Sequence, residues 1–109
     1  MSQQVRLSVI IPAYNEEKRL PKTLKAVDEY LRKQSYAYEV LVVNGGSTDK
    51  TEEAVRNAMK EMENLRILNT ENRGKGYAVR HGMVKAQGAY RVFMDADNAT
   101  SLDHVEKMW

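Results

Sequence analysis

Two aspartates one residue apart, Asp95 and Asp97, directly follow the apolar run Tyr90 to Met94. If that run is a strand, both carboxylates sit on a turn at the rim of a sheet. Hard oxygen donors of this kind suit Mg²⁺ or Mn²⁺, which take one or two carboxylates and fill their shell with phosphate oxygens and water. A metal-bridged diphosphate is the natural ligand for such a pair. The same local sequence equally lets Asp97 or Asn98 cap a helix beginning near Leu102, a reading that local sequence leaves open.

A second group lies at Asn72-Arg73-Gly74-Lys75-Gly76, just ahead of a helical pattern. Free backbone N–H groups at a helix start, glycines that permit close approach and two cations favour an anion such as phosphate. The spacing is neither that of a P-loop nor that of a dinucleotide fingerprint, so an ordinary turn competes with the phosphate reading. Arg80, one turn on, either reaches the same phosphates or is a solvated helix charge. Pro12-Ala13-Tyr14-Asn15-Glu16-Glu17 offers a tyrosine for base stacking and carboxylates for ribose hydroxyls, or is simply a polar loop leading to a helix. His81 and His104 stand alone and receive no role. The methionines fill gaps on inward helix faces.

These groups need elements to hold them. Leu7 to Pro12, Glu39 to Val43, Leu65 to Leu68 and Tyr90 to Met94 are short apolar runs that predict buried strands. Between them, Leu20, Leu24, Val27 and Leu31 mark one helix face, with Pro21 in the first turn. Asp49 and Glu52 have capping-box spacing ahead of a helix whose inward residues are Ala54, Val55, Ala58, Met59 and Met62. A third helix from Gly74 to Gln87 is expected to turn Val79, Met83 and Ala86 inward and to end on Gly88 as its C-cap. Strands alternating with helices predict an α/β fold, a Rossmann-like parallel sheet with right-handed crossovers and helices on both faces. Ligands bind such sheets beyond the carboxyl ends of the strands, where strand order reverses. The three chemical groups all fall in loops of that kind, as does Asn44-Gly45-Gly46-Ser47-Thr48-Asp49 after the second strand.

Composition narrows the classes. Residues 1–109 provide one compact domain. Seventeen Lys+Arg against 15 Asp+Glu leave a net charge of +2, which argues against nucleic acid as a partner. The absence of cysteine excludes disulfides and thiolate metal sites and fits a cytoplasmic setting. No apolar run approaches the roughly 20 residues that cross a bilayer.

Taken together, Ser8-Val9-Ile10-Ile11-Pro12-Ala13-Tyr14-Asn15-Glu16-Glu17, the turn Gly46-Ser47-Thr48-Asp49 and Asp95-Ala96-Asp97 resemble the family 2 glycosyltransferases of GT-A type. Arg73 to Met83, followed by Asp95 to Thr100, resembles more narrowly the dolichyl-phosphate glucosyltransferase and mannosyltransferase branch. The resemblance runs from Leu7 to the end and corresponds to the N-terminal, nucleotide-sugar-binding half of such an enzyme. It implies metal-dependent, inverting transfer of a hexose from a UDP- or GDP-sugar to a polyprenyl phosphate. By position, Pro12, Ala13, Tyr14 and Glu16 would contact the nucleoside, Lys75 the diphosphate, and Asp95 and Asp97 would form the catalytic metal and donor motif, with Asp97 the principal ligand. At Asn44 and Gly45 the family often has two acidic residues. Their loss affects base recognition, although Asn44 can still hydrogen-bond a base edge. The half-enzyme is expected to be incompetent alone, to self-associate through exposed apolar surface, and in its full form to lie at the cytoplasmic face of a membrane. A non-catalytic nucleotide-binding module and an inactive Rossmann-like fragment are the alternatives.

Overall fold

The computed structural model describes residues 4–96. Along them run β1 (Leu7–Ala13), α1 (Leu20–Arg32), β2 (Tyr38–Gly45), α2 (Thr51–Met59), β3 (Leu65–Thr70), α3 (Lys75–Lys85) and β4 (Tyr90–Phe93). All strand pairings are parallel and the order is β3-β2-β1-β4. The expected α/β sheet is therefore present. The chain steps outward from β1 to β2 to β3, then crosses back to place β4 on the far side of β1. Right-handed crossovers that reverse direction must change face. Accordingly α1 and α2 share one face of the sheet, and α3 covers the other.

Side-chain alternation along the strands explains why their sequences are apolar almost throughout. Val9 and Ile11 of β1 and Val40 and Val42 of β2 pack toward α1 and α2. Ile10, Leu41 and Val43 pack toward α3. Successive residues of a strand face opposite sides, so a two-sided sheet buries both sets. On α1, Leu20, Leu24, Val27 and Leu31 are fully buried at the predicted spacing, and Pro21 lies in the first turn.

Three local expectations need correction. On the sheet side of α3, Ala86 is buried and Met83 packs against the same cluster as expected, but the helix also turns Ala78 and Gly82 into the sheet, and Val79 is only partly buried and joins neither cluster. The reason is close approach: a Cβ on Gly82 would stand 2.5 Å from Ile10 Cγ2 and 3.0 Å from Val43 Cγ2. Gly88 is not the C-cap, because α3 ends at Lys85 and Ala86 is already extended. Instead Gly88 lies against β1, where a Cβ would meet Ser8 Oγ at 2.6 Å. The capping box is also absent. Lys50 is the N-cap of α2 without a side-chain cap, and Asp49 accepts the Thr51 N–H at 2.9 Å from outside the helix.

At the end of the sheet away from the candidate loops, a buried polar node joins its parts. Ser8 Oγ donates to Glu39 Oε2 at 2.6 Å and accepts the Gly88 N–H at 2.8 Å. The Gln87 N–H donates to the same carboxylate at 2.6 Å, and Arg66 Nη2 reaches Oε1 at 3.1 Å. Three segments thus converge on the buried carboxylate of a fourth. A buried acceptor removed from several donors leaves each of them short of a partner. Glu39→Ala is expected to lower the unfolding free energy by about 2–4 kcal/mol. Arg66→Ala, at the half-exposed end of the pair, is expected to cost under about 1 kcal/mol. Urea denaturation of both variants checks the contrast.

Candidate functional site

The strand-order reversal falls between β1 and β4, and a cavity of about 320 Å³ opens at the carboxyl ends of these strands. Pro12, Ala13, Tyr14, Glu16, Lys75 and Asp95, separated by up to 83 positions, all line it. Asn44 does not. It is buried, donating its side-chain amide to Asn69 Oδ1 at 3.0 Å and accepting the Ser47 N–H at 3.3 Å. Asp97, with the proposed cap at Asn98 and the helix beyond it, lies outside the described residues.

Sequence reasoning had assigned no part in the wall to several small groups that complete it. Gly45, Ala78 and Ala96 leave the cavity open where larger side chains would fill it. The only available signal was their smallness at strand ends and at a helix start, which is common in turns. At the mouth, Tyr14 is 47% exposed, so one ring is free to meet a planar ligand. The Glu16 carboxylate is oriented by Arg19, whose Nη2 and Nε donate at 2.6 and 2.7 Å. A carboxylate has about four lone-pair sites, so acceptor capacity remains for hydroxyls.

Across the cavity, Lys75 opens α3 behind Gly74, whose φ of 92° suits glycine. The first intrahelical donor there is Ala78, bonded to Gly74 O at 3.2 Å. The preceding amides of α3 are free of intrahelical acceptors, as at any helix start, and favour negative charge beside them. Lys75 Nζ pairs with Asp95 Oδ1 and lies 5.8 Å from the Phe93 ring centroid. Behind the acidic turn, the buried Thr23 hydroxyl of α1 donates to Ala96 O at 2.5 Å and fixes the backbone there. Among the described residues no three acidic or histidine side chains converge. If a cation is held here, the described protein share of its shell is the Asp95 carboxylate, which is ion-paired with Lys75 and borders the cavity. That donor set fits Mg²⁺ or Mn²⁺, which keep water and phosphate oxygens as ligands, and does not make an all-protein cage. His81 stacks on Tyr77 at 6.1 Å and lies off the cavity lining.

The β1 loop is held by the β2 loop. Asn15 N–H donates to Ser47 Oγ at 3.0 Å, Glu16 N–H to Thr51 Oγ1 at 2.8 Å, and Glu17 N–H to Asp49 Oδ2 at 3.3 Å. Asp49 in turn accepts from the Thr51 hydroxyl and amide. Desolvation pushes the Asp49 carboxyl up. The hydrogen bonds from Thr51 and the Glu17 amide outweigh it and hold the group below the usual carboxylate range.

The model of glycosyl transferase family 2 matches residues 8–109. A dolichyl-phosphate beta-glucosyltransferase of Trichomonas vaginalis is 44% identical over 94% of this chain and 33% of its own length. The enzyme of the same name from Drosophila melanogaster is 44% identical over 98% of this chain and 35% of its own. Among solved structures, a mannosyltransferase from Pyrobaculum calidifontis in complex with GDP-Man and Mn²⁺ superposes with a TM-score of 0.77. It is 30% identical, and the match covers 98% of this chain and 32% of that one. The chain spans about a third of the length of the curated relatives it matches.

The hydrogen bonds on Asp49 set an acid limit on the site. A carboxyl with a lowered native pKa contributes stability above its unfolded value, about 3.9, and loses it as pH falls through the native value. Unfolding followed from pH 6 to pH 2 is expected to show this loss below about pH 4. Asp49→Asn is expected to be less stable at pH 6 and to have a flatter profile in the acid range.

Proposed function

Because this chain belongs to glycosyl transferase family 2, we propose that its cavity binds the donor, a UDP- or GDP-hexose, for transfer to a polyprenyl phosphate of the dolichyl type. The observation that carries this reading is the convergence of Tyr14, Glu16, Lys75 and Asp95 on one cavity at the strand-order reversal. An aromatic face, an oriented carboxylate, a cation at a helix start and a rim carboxylate are the complement of base, ribose, diphosphate and metal. The names of the relatives support the lipid phosphate as acceptor and glucose as the sugar. The Pyrobaculum complex supports a nucleotide sugar with Mn²⁺ on this fold.

In the proposed reaction, an oxygen of the acceptor phosphate forms a bond to the anomeric carbon as the bond to the donor diphosphate breaks, with inversion. Negative charge grows on the departing diphosphate. In this reading Lys75, which the structure pairs with Asp95, and the amides at the start of α3 would receive that charge. Asp95, with Asp97 by the family resemblance, would hold the Mg²⁺ or Mn²⁺ ion. When bound, that ion supplies Lewis-acid neutralisation of the same leaving group. Tyr14 and Glu16 orient the nucleoside and so fix the anomeric carbon relative to the acceptor. An ionised phosphate needs no base on this chain to become a nucleophile. Asn44 is committed to Asn69 and Ser47, so recognition of the base falls to Tyr14 and the cavity wall. No described helix is long and apolar enough to cross a membrane. In this reading, contact with the lipid acceptor at a cytoplasmic membrane face falls to the parts of such enzymes that lie outside the matched third.

Calorimetric titration with UDP-glucose and GDP-mannose, in Mn²⁺ and then in EDTA, tests the reading. One nucleotide sugar is expected to bind in Mn²⁺, and chelation is expected to weaken it at least about tenfold. Asp95→Asn and Asp97→Asn should each reproduce the effect of EDTA, the first with little loss of stability because the Asp95 side chain is half-exposed and has little packing to lose. Binding that ignores both chelation and these substitutions would remove the metal assignment.

A further inference from the structure

We propose that Asn15 is a positioning residue for nucleotide binding, which fixes the β1 loop on the β2 loop and so aims Tyr14 and Glu16 into the cavity. The inference deepens the donor-site reading and rests on it. Asn15 does not line the cavity, yet both of its neighbours do. Its φ is 53°, and it is the one non-glycine residue with positive φ among the described residues. Asparagine tolerates the left-handed region better than most residues, but such a conformation persists only where its surroundings fix it.

Here the surroundings are specific. Asn15 Oδ1 accepts the Thr48 N–H at 2.8 Å and the Asp49 N–H at 3.3 Å, so one side-chain oxygen ties two amides of the opposite loop. Its own N–H returns a bond to Ser47 Oγ at 3.0 Å. The next two amides, of Glu16 and Glu17, are also donated across to Thr51 and Asp49. Three successive amides therefore face the β2 loop. With the backbone turned in this way, Tyr14 and Glu16 both reach the cavity.

A fold role is a poor account of these bonds. Asn15 is exposed and belongs to neither apolar cluster, so the sheet and its helices keep their packing without it. What the clamp removes is loop freedom, which a ligand would otherwise have to freeze on binding. The benefit therefore falls on affinity.

Three substitutions in the protein separate the possibilities. Asn15→Gly keeps access to positive φ but deletes the acceptor, Asn15→Asp keeps an acceptor, and Asn15→Ala removes both advantages. Thermal unfolding is measured for each, together with titration of UDP-glucose and GDP-mannose in Mn²⁺. Asn15→Gly is expected to bind the preferred nucleotide sugar about tenfold more weakly, with its unfolding midpoint within a few degrees of the unaltered protein. Asn15→Asp is expected to restore affinity to within about threefold, and Asn15→Ala to be the weakest binder. Unchanged affinity in Asn15→Gly overturns the inference. So does an affinity loss that merely follows the melting loss across all three variants, which would assign Asn15 to the fold. If the unaltered protein binds neither nucleotide sugar, the donor-site reading fails and this inference falls with it.

Discussion

Everything in the site hangs on β1 being hydrogen-bonded on both sides. Its register with β2 puts Ala13 beside Asn44, and its register with β4 carries the other side from Leu7↔Tyr90 to Ile10↔Phe93. Parallel pairing then brings the ends of all these strands to one edge of the sheet. The chain leaves β1 toward β2 and returns on the far side as β4, so the carboxyl ends of β1 and β4 lie side by side and, with the start of α3, border the cavity. The same reversal sends α3 to the opposite face and brings its first turn to the cavity with Lys75. Charge placement is thus a result of topology.

The two ends of the sheet are built differently. The far end is closed by Glu39, Ser8, Gln87 and Gly88, whose polar groups satisfy each other out of water. The near end keeps exposed donors and acceptors, supported by the loop-to-loop bonds around Asn15 and Asp49, the Asn44–Asn69 and Asn44–Ser47 bonds and the Thr23–Ala96 bond. Rigidity at one end and unspent bonding capacity at the other is what a binding protein on this scaffold requires.

Much of this was legible in the sequence, and the failures have physical causes. Strands buried on both faces leave continuous apolar runs, so β1 and β2 were plain to read, and so was the leucine and valine stripe of α1. The inward face of α3 was read in part, at Met83 and Ala86, but its closest contact was missed because that residue is Gly82, whose role is to have no side chain; hydrophobic periodicity registers only side chains. Gly88 was misread as a cap for the same reason. The carriers of the candidate site stood out because aspartate after a strand and glycine with lysine at a helix start are unusual chemistry in fixed places. Their supports were invisible. Asn15 meets Thr48 across 33 positions and Thr23 meets Ala96 across 73, and no local pattern encodes such meetings. Asn44 shows the converse, since a polar residue at a strand end looked available for a ligand until its partner Asn69 was in view.

The reach of the cavity along the chain also governs when it can exist. Its wall draws on Pro12 at one extreme and Ala96 at the other, so no partial chain that lacks β4 has assembled it. Pairing β4 with β1 closes the largest loop in the sheet and carries the largest closure entropy of the three pairings. A ligand that needs the whole wall binds only chains in which β4 is paired, and each bound molecule draws the folding equilibrium toward the completed topology. Whatever fills the cavity thereby also tightens the hold of β4 on the sheet, because the wall it touches includes residues on both sides of that pairing.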